Sequence, residues 1–344
     1  MMDFKKIIRK HLLTLEPYST ARDEGSGVDA IFLDANESPF NKPFNRYPDP
    51  RQCEFRQHIA KMKGLAVEQV FAGNGSDEAI DLLIKAFCEP GEDAAVVLPP
   101  TYGMYAVAAR THGIQVNEIL LNENFQPDVD KILTLSKNNK LLFLCSPNNP
   151  TGNITQKEIV IELLHGFKGI VVLDEAYIDF ATEKSLLDLL QTFPNLVILQ
   201  TFSKAWALAG VRCGLAFAHP EVIAVMDRVK LPYNLNQLTI AAVLKRMQKR
   251  IILQNQIQMI IHERKKLFDA LKQFSFVEHV FPSEANFILV RVHNADKVYQ
   301  YLIENGIIVR NRSKQQMLNN CLRITVGSIN QNKKLLKTLK HYTQ

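Results

Sequence analysis

The chain has 344 residues, of which 47% are hydrophobic and 22% are charged, and its formal net charge at pH 7 is +6. This length suits one large and one smaller domain, the composition is typical of a soluble globular enzyme, and no apolar run approaches the roughly 18 residues of a membrane span. The excess of positive charge suits anionic ligands, but the basic runs lie in helix-like stretches, so we expect solvated helix faces rather than a nucleic-acid surface.

The first two thirds of the chain predict an α/β arrangement. Apolar residues at helical spacing from Phe4 to Leu15 predict an amphipathic helix that ends before Pro17. Short apolar runs typical of buried strands follow, at residues 70–72, 94–98, 141–145, 170–173, 197–200 and 213–218. Helical patterns fall between most of them, at residues 77–87, 102–112 and 155–164. Such alternation predicts a mostly parallel central sheet covered by helices on both faces.

The pattern changes after about residue 230. A long helical stretch with a bend is predicted from about residue 236 to residue 274. Strand-like and helical segments follow it, at residues 286–291, 295–304, 307–310, 322–325 and 330–341. We therefore predict a large domain over residues 30–245 and a smaller, discontinuous α+β domain formed by residues 1–29 and 246–344. The N-terminal helix is expected to pack with the smaller domain.

Polar segments follow several of the predicted strands, and in open parallel sheets ligands bind at the carboxyl ends of the strands. One site there could collect an amine, a carboxylate, a phenol, an amide, hydroxyls and a guanidinium. The segments are Gly73-Asn74-Gly75-Ser76-Asp77, Ser146-Pro147-Asn148-Asn149-Pro150-Thr151-Gly152, Asp174-Glu175-Ala176-Tyr177 and Thr201-Phe202-Ser203-Lys204, with Arg212 eight residues further on.

These groups match the needs of a pyridoxal-phosphate enzyme. Such an enzyme uses an amine to bind the cofactor covalently. It uses a buried carboxylate to keep the pyridine nitrogen of the cofactor protonated. It also needs donors to the phenolic oxygen of the ring, and it needs hydroxyls, backbone amides and an arginine for the phosphate, preferably at a helix N-terminus.

Two other enzyme classes fit the same segments less well. An apolar run that ends in Asp174-Glu175 also resembles the magnesium-binding strand of a nucleotide hydrolase, but that class needs a Gly-Lys pair in its phosphate loop, and the chain has none. The glycines of Gly73-Asn74-Gly75 do not extend to a dinucleotide-binding motif, because position 78 is Glu.

The cysteines and histidines predict no metal site. The five cysteines form no C-x-x-C pair and are widely spaced, so neither a disulfide framework nor a zinc site is indicated. The nine histidines show no ligand spacing. No signal peptide is apparent, and we expect a protein of the reducing cytoplasm.

The order of these motifs resembles that of fold-type I pyridoxal-phosphate-dependent aminotransferases over nearly the whole chain. The motifs that carry this resemblance are Arg46-Tyr47-Pro48-Asp49-Pro50, Asn148-Asn149-Pro150-Thr151-Gly152, Val172-Leu173-Asp174-Glu175-Ala176-Tyr177, Thr201-Phe202-Ser203-Lys204 and Arg212-Cys213-Gly214. Within the superfamily the chain looks most like the histidinol-phosphate aminotransferases. The motifs for that narrower resemblance are Leu15-Glu16-Pro17-Tyr18, Ala35-Asn36-Glu37-Ser38-Pro39, Gly73-Asn74-Gly75-Ser76-Asp77-Glu78, Gly306-Ile307-Ile308-Val309-Arg310 and Leu322-Arg323-Ile324-Thr325-Val326-Gly327.

The resemblance implies pyridoxal 5'-phosphate as the cofactor and assigns a role to each residue around its ring. Lys204 would bind the cofactor covalently and later shuttle the proton. Asp174 would pair with the pyridine nitrogen. Tyr177 and Asn149 would hydrogen-bond the phenolate oxygen of the ring, and Tyr102 would stack on it.

The resemblance also implies which residues bind the cofactor phosphate, namely Gly75, Ser76, Asp77, Thr201, Ser203 and Arg212. Because Asp77 is acidic, we assign its contact to the backbone N–H at the start of a helix and not to the carboxylate, which could instead cap that helix. Tyr47 would reach across a dimer interface to the phosphate of the neighbouring subunit's cofactor. A homodimer is therefore expected.

The substrate residues implied by the resemblance are Tyr18, Asn36, Arg310 and Arg323. Two arginines in one pocket suit a dianionic phosphate better than a lone carboxylate. The expected reaction is the transamination between L-histidinol phosphate and 2-oxoglutarate in histidine biosynthesis. Three alternatives stay open: an aromatic or broad-specificity aminotransferase, a threonine-phosphate decarboxylase of the same fold, and a non-catalytic cofactor-binding regulator.

Overall fold

The structure is a computed structural model that describes residues 3–16, 31–135 and 138–342. In this part of the chain, eleven strands form two sheets. The strands are β1 (Val70–Gly73), β2 (Ala94–Val97), β3 (Gln115–Glu118), β4 (Asn139–Cys145), β5 (Ile170–Asp174), β6 (Leu196–Thr201), β7 (Gly214–Ala218), β8 (Val277–Val280), β9 (Phe287–Val292), β10 (Arg310–Asn311) and β11 (Cys321–Thr325).

Ten α-helices lie within the described ranges, and none of them is both long and apolar enough to cross a membrane. They are α1 (Cys53–Lys63), α2 (Gly75–Phe87), α3 (Met104–Thr111), α4 (Val129–Leu133), α5 (Lys157–Gly166), α6 (Pro220–Val229), α7 (Gln237–Met247), α8 (Arg250–Leu271), α9 (Ala295–Glu304) and α10 (Ile329–Lys340).

The larger sheet has seven strands in the order β1-β7-β6-β5-β4-β2-β3. Strands β3, β2, β4, β5 and β6 are parallel, whereas β7 runs antiparallel to β6 and β1. Side chains alternate along each strand, so Val171 and Ile198 enter the apolar core on one face while Val172 and Val197 enter the core on the other. The predicted mostly parallel sheet with helices on both faces is confirmed.

The smaller sheet has four antiparallel strands in the order β10-β11-β9-β8. It has its own apolar core, in which Leu267 of α8, Leu302 of α9 and Leu335 of α10 pack with strand residues such as Val290. The predicted bend in the long helix is confirmed, because α7 ends at Met247 and α8 begins three residues later.

The N-terminal segment is not the single amphipathic helix that the periodicity predicted. It contains two short 3-10 helices, Phe4–Lys6 and Lys10–Leu12. Between them Arg9 has an extended backbone, with φ −55° and ψ 129°. Its side chain forms an ion pair with Glu89 at 2.9 Å, and its amide N–H donates to the carbonyl of Ala86 at 3.1 Å. Tertiary contacts have therefore overridden the local helical pattern.

This segment also packs on a different partner from the one predicted. Phe4, Ile8 and Leu12 share a core with α2 and α6 of the larger sheet, and Arg228 of α6 donates to the carbonyl of Leu12 at 2.6 Å. Residues 4–12 thus lie against the large unit and not the smaller one. Periodicity shows that a face is buried but does not show what buries it. The domain boundary near residue 245 stays a prediction, and residues 17–29 lie outside the described ranges.

Candidate active site

A cavity of about 410 Å³ opens at the carboxyl ends of the parallel strands, beside the first turn of α2 and the pair β10–β11. Most of the predicted site residues line it, so distant segments do converge as the strand-end argument expected. These lining residues are Gly75, Ser76, Asp77, Tyr102, Asn149, Asp174, Tyr177, Thr201, Ser203, Lys204, Arg212, Arg310 and Arg323.

Lys204 follows the end of β6 and projects into this cavity, with its Nζ 5.5 Å from the centroid of the Tyr177 ring. Burial lowers the pKa of the Lys204 amine, and the charge of Arg323 lowers it further, while Asp174 opposes the shift. A lowered pKa increases the fraction of neutral amine near pH 7, and the neutral amine is the nucleophilic form.

Asp174 ends β5 and is only 3% exposed. Its Oδ2 accepts a hydrogen bond from the Tyr105 hydroxyl at 2.6 Å, and its Oδ1 accepts from the backbone N–H of Ala176 at 3.0 Å. Burial raises the pKa of this carboxyl group, whereas the two hydrogen bonds lower it. A buried carboxylate of this kind gains from a cationic N–H partner, and a protonated pyridine nitrogen is such a partner.

Tyr105 is a site residue that the sequence reasoning missed. It is completely buried, and its ring stacks on Phe143 at 4.8 Å while its hydroxyl fixes one oxygen of Asp174. It lies on the buried face of α3, where a tyrosine is indistinguishable from an ordinary core aromatic residue in the sequence.

The first turn of α2 forms one anion-binding end of the cavity. Gly214 of β7 allows this close approach, since a Cβ there would lie 2.1 Å from the backbone nitrogen of Ser76. Gly75 has φ +75° and donates its N–H to the carbonyl of Arg212 at 3.2 Å. Backbone N–H groups at a helix start and a nearby guanidinium are a favourable arrangement for a phosphate group.

The carboxylate of Asp77 faces protein groups in this end of the cavity. It accepts from the hydroxyl of Tyr102 at 3.1 Å and lies 3.5 Å from the guanidinium of Arg212. The expectation that Asp77 offers its backbone N–H, and not its carboxylate, to an anion stays a prediction.

A second group of cations comes from β10 and β11. In the register of this pair Arg310 lies directly opposite Arg323. The guanidinium of Arg323 lies over the ring of Phe287 at 5.3 Å and donates to the side-chain oxygen of Asn149. Burial lowers the pKa of Arg323, and the neighbouring charge of Arg310 lowers it further.

Arg312 also lines the cavity and was not predicted. Burial, followed by the charges of Arg323 and Arg310, lowers the pKa of its guanidinium to about 10. A signal was present in the sequence, because Arg310 and Arg312 are two residues apart and alternate residues of a strand share a face.

The segment that carries Asn149 is held between the two sheets. Asn148 is buried and hydrogen-bonds to Thr151 at 2.6 Å. Gly152 has φ +85°, and its carbonyl accepts from the backbone N–H of Glu284 at 2.7 Å. Asn149 is therefore fixed in the wall of the cavity, where its side-chain oxygen accepts from Arg323.

Two predicted residues within the described ranges, Tyr47 and Asn36, do not line the cavity of this chain. The side chain of Tyr47 is 50% exposed and stacks on Tyr233 with ring centroids 4.5 Å apart. Asn36 is exposed, and Tyr18 lies outside the described residues. Their proposed roles stay predictions.

The residues that do converge fit pyridoxal phosphate. The cavity offers the amine of Lys204, the buried carboxylate of Asp174, an aromatic side chain at Tyr102 and a helix start beside an arginine. Within residues 3–16, 31–135 and 138–342, no three His, Cys, Asp or Glu side chains are grouped so as to hold a metal ion.

Comparison with known proteins agrees with this geometry. Residues 22–339 match the model of the family described as aminotransferase class I and II. The chain belongs to that family, and it is accordingly a pyridoxal-phosphate-dependent aminotransferase of fold-type I, as the sequence predicted.

Similar proteins within this family carry a more specific name. The chain is 47% identical to a histidinol-phosphate aminotransferase of Parabacteroides distasonis over 99% of both chains. It is 48% identical to that of Flavobacterium johnsoniae over 98% of both chains. The crystal structure of the histidinol-phosphate aminotransferase from Clostridium acetobutylicum matches with a TM-score of 0.80 and 26% identity, over 87% of this chain and 91% of that one.

Proposed function

We propose that the chain is a transaminase of histidine biosynthesis. It would interconvert L-histidinol phosphate and 2-oxoglutarate with 3-(imidazol-4-yl)-2-oxopropyl phosphate and L-glutamate. The observation that carries this proposal is the second group of cations, at β10–β11, in a cavity that already offers an anion site at α2. One anion site suits the cofactor phosphate, and the other suits the phosphate of the substrate. The names of the relatives support the same substrate.

Lys204 and Asp174 would each handle a different proton of the reaction. When bound, pyridoxal phosphate supplies an electron sink for the carbon that loses its proton. The Nζ of Lys204, whose pKa burial has lowered, would accept the proton from the substrate carbon and return it to the cofactor side. The carboxylate of Asp174 would hold a proton on the pyridine nitrogen, since its buried position favours a cationic partner.

Asn149 and Tyr177 would orient the ring of the cofactor. The side-chain oxygen of Asn149 accepts from Arg323, which leaves the Nδ2 amide group to donate to the phenolate oxygen. Burial raises the pKa of the Tyr177 hydroxyl, so that hydroxyl is protonated near pH 7 and can donate to the same oxygen. Arg323 thus also sets the direction in which the side-chain amide of Asn149 points.

The direct test is to mix the holoenzyme with histidinol phosphate in the absence of any oxo acid and to record the visible spectrum. We expect the band of the lysine-bound cofactor to disappear and the spectrum of pyridoxamine phosphate to grow. A holoenzyme that ignores histidinol phosphate but reacts with phenylalanine would instead favour an aromatic or broad-specificity aminotransferase. Release of carbon dioxide from threonine phosphate would favour the decarboxylase.

We further propose that the chain acts as a homodimer and that Tyr47 lies at its interface. Most of the large apolar side chains that are at least half exposed fall in two stretches, residues 31–47 and 231–252. These stretches touch each other, since Tyr47 stacks on Tyr233, and close by Lys230 donates to the carbonyl of Pro50 at 2.9 Å. Exposed apolar patches of this kind mark interfaces. The side chains include Phe40, Phe44, Tyr47, Leu231, Leu238 and Ile251.

Light scattering tests the dimer directly. We expect twice the mass of one chain at micromolar concentration, and Leu231→Glu should shift the protein towards the single-chain mass. A fully active single chain would contradict the proposal.

We also place the enzyme in the cytoplasm. All five cysteines are free thiols, and four of them are buried, as suits a reducing compartment. Cell fractionation followed by detection of the protein tests this placement.

A further inference from the structure

We propose that Arg312 is a third phosphate-binding residue and that it makes the cavity favour a phosphate ester over the dicarboxylate substrate of the other half-reaction. This inference deepens the proposed function and rests on it, because it specifies how one site treats two anions that must alternate in it.

The strand register places three guanidinium groups together. Arg310 lies opposite Arg323 in the β10–β11 pair, so their side chains leave the same face of the sheet. The backbone N–H of Arg312 donates to the carbonyl of Cys321 at 2.8 Å, which continues the ladder beyond β10. Because alternate residues share a face, Arg312 projects with Arg310, and all three side chains line the cavity.

These three cations have no carboxylate partner among the residues that the structure describes. The Nε atoms of Arg312 and of Arg323 are buried and make no hydrogen bond. Like charges directly opposite each other destabilise a strand pair, and a buried donor without an acceptor costs further stability. An anion bound in the cavity would offset the repulsion among the three guanidinium groups.

The number of donors points to phosphate as that anion. A phosphate monoester carries close to two negative charges at neutral pH and has three terminal oxygens, whereas a carboxylate has one charge and two oxygens. Part of the Arg323 fork is already used by Asn149. Arg310 together with the remainder of Arg323 can serve a carboxylate, and Arg312 supplies the extra donors and charge that a dianion can use.

The test compares the two half-reactions in the holoenzyme of Arg312→Gln. We expect the KM for histidinol phosphate to rise by about 10- to 100-fold, as for the loss of one charge-assisted interaction. The KM for L-glutamate should change by less than about 3-fold. The kcat should change little in either direction, because the contact between Arg312 and the phosphate would stabilise the ground state and the transition state equally. Arg312→Lys should restore part of the preference, since it keeps the charge but loses the fork.

Lys314→Gln is the matched control. Lys314 lies in the same loop as Arg312, is exposed and does not line the cavity. Its replacement therefore removes one positive charge without changing the site. Its kinetic constants should match those of the wild type. The inference is overturned if Arg312→Gln behaves like this control, or if it weakens histidinol phosphate and L-glutamate equally.

A separate measurement distinguishes this inference from the proposed function. Calorimetric titration of the holoenzyme with inorganic phosphate reports on the arginine group without any turnover. If the wild type does not convert histidinol phosphate, the proposed function fails. The inference still stands if Arg312→Gln binds phosphate about 10-fold more weakly than both the wild type and Lys314→Gln. A wild-type holoenzyme that does not bind phosphate overturns the inference.

Discussion

The two anion-binding ends of the cavity are constructed in opposite ways. At the α2 end the charged side chains have protein partners: the Asp77 carboxylate faces both Arg212 and Tyr102, and the turn is fixed by the Gly75 N–H, which donates to the carbonyl of Arg212. At the β10–β11 end, Arg310 and Arg312 have no acidic partner among the described residues. The first end is fixed in advance, whereas the second is left with unused donors.

This difference suits the anions that we propose for the two ends, the cofactor phosphate at α2 and the substrate anions at β10–β11. A cofactor phosphate stays through every turnover, so a site whose donors are already oriented binds it with little reorganisation. The substrate end must bind and release two different anions in each cycle. Unpaired cations attract either anion and are not committed to one geometry. The comparison therefore predicts that substitutions at the two ends separate cofactor retention from substrate selection.

The largest expected effect is at Lys204, which lies between the two ends. Lys204→Ala removes the amine that we propose binds the cofactor and moves the proton, so we expect activity to fall by about 10⁴-fold. Borohydride reduction followed by mass spectrometry should show no covalent cofactor in the variant, whereas the wild type should carry it. The circular dichroism of the variant should remain that of the wild type. Robust turnover by a folded Lys204→Ala protein would refute the assignment.

Asp174 is expected to have the next largest effect. Asp174→Asn keeps the shape of the side chain and its acceptor for Tyr105 but removes the charge, so kcat should fall by about 10- to 1000-fold, equivalent to a loss of 1–3 pKa units at the pyridine nitrogen. The phosphate end is untouched, so the affinity for cofactor should fall far less than kcat. Equal losses in both would contradict the separation of roles.

Tyr105→Phe tests the role of the Asp174 carboxylate through the pH dependence of kcat. The Tyr105 hydroxyl lowers the pKa of Asp174, against the burial that raises it. Removing the hydroxyl should therefore raise that pKa, so the charged carboxylate is lost at a higher pH and the acid limb of the kcat profile moves to higher pH. The phenylalanine ring still stacks on Phe143. An unshifted profile would mean that the hydrogen bond serves only packing.

The fold was largely predictable because its strands are buried on both faces. Residues 141–145 of β4 and 170–173 of β5 are continuously apolar, and that pattern is readable without knowledge of their partners. The strand β3 was missed because it is a sheet edge with polar, partly exposed residues. The N-terminal residues were assigned to the wrong unit because an apolar face at positions 4, 8 and 12 fits any complementary surface.

The site residues that follow the ends of strands could be predicted from the sequence. Lys204 and Asp174 follow apolar runs, and the topology alone brings such positions together. Tyr105 acts from within a core helix, and no local signal separates it from a packing residue. Arg312 could have been found from its spacing to Arg310, but its burial without an acidic partner depends on the tertiary contacts around β11.

A smaller effect is expected at Asn234, which supports the α2 end from behind. This residue is 7% exposed. Its side-chain amide donates to the carbonyl of Ala72 and to the carboxylate of Glu78, both at 3.1 Å, and its backbone carbonyl accepts from the side-chain amide of Asn74. Glu78 in turn accepts from the backbone N–H of Asn74 at 2.5 Å. The turn that leads into α2 therefore depends on one asparagine side chain.

Asn234→Ala should weaken cofactor binding by about 10-fold, since it leaves buried acceptors without donors beside the phosphate-binding turn. Spectroscopic titration of the apoprotein with pyridoxal phosphate measures this affinity. The KM for histidinol phosphate, measured at saturating cofactor, should stay within about 3-fold of the wild type, because the arginine end is separate. A variant that loses thermal stability but binds the cofactor normally would show that the network supports only the fold.

The smallest effect is expected at Asp77. Its carboxylate and the guanidinium of Arg212 are 41% and 50% exposed, and an ion pair this open to solvent contributes at most about 1 kcal/mol. Asp77→Asn keeps an acceptor for Tyr102, leaves the backbone N–H in place and removes a negative charge from the vicinity of the phosphate. We expect the affinity for pyridoxal phosphate to change by less than about 5-fold. A loss of 100-fold or more would show that the carboxylate itself organises the phosphate site, and the backbone assignment at the start of α2 would then be wrong.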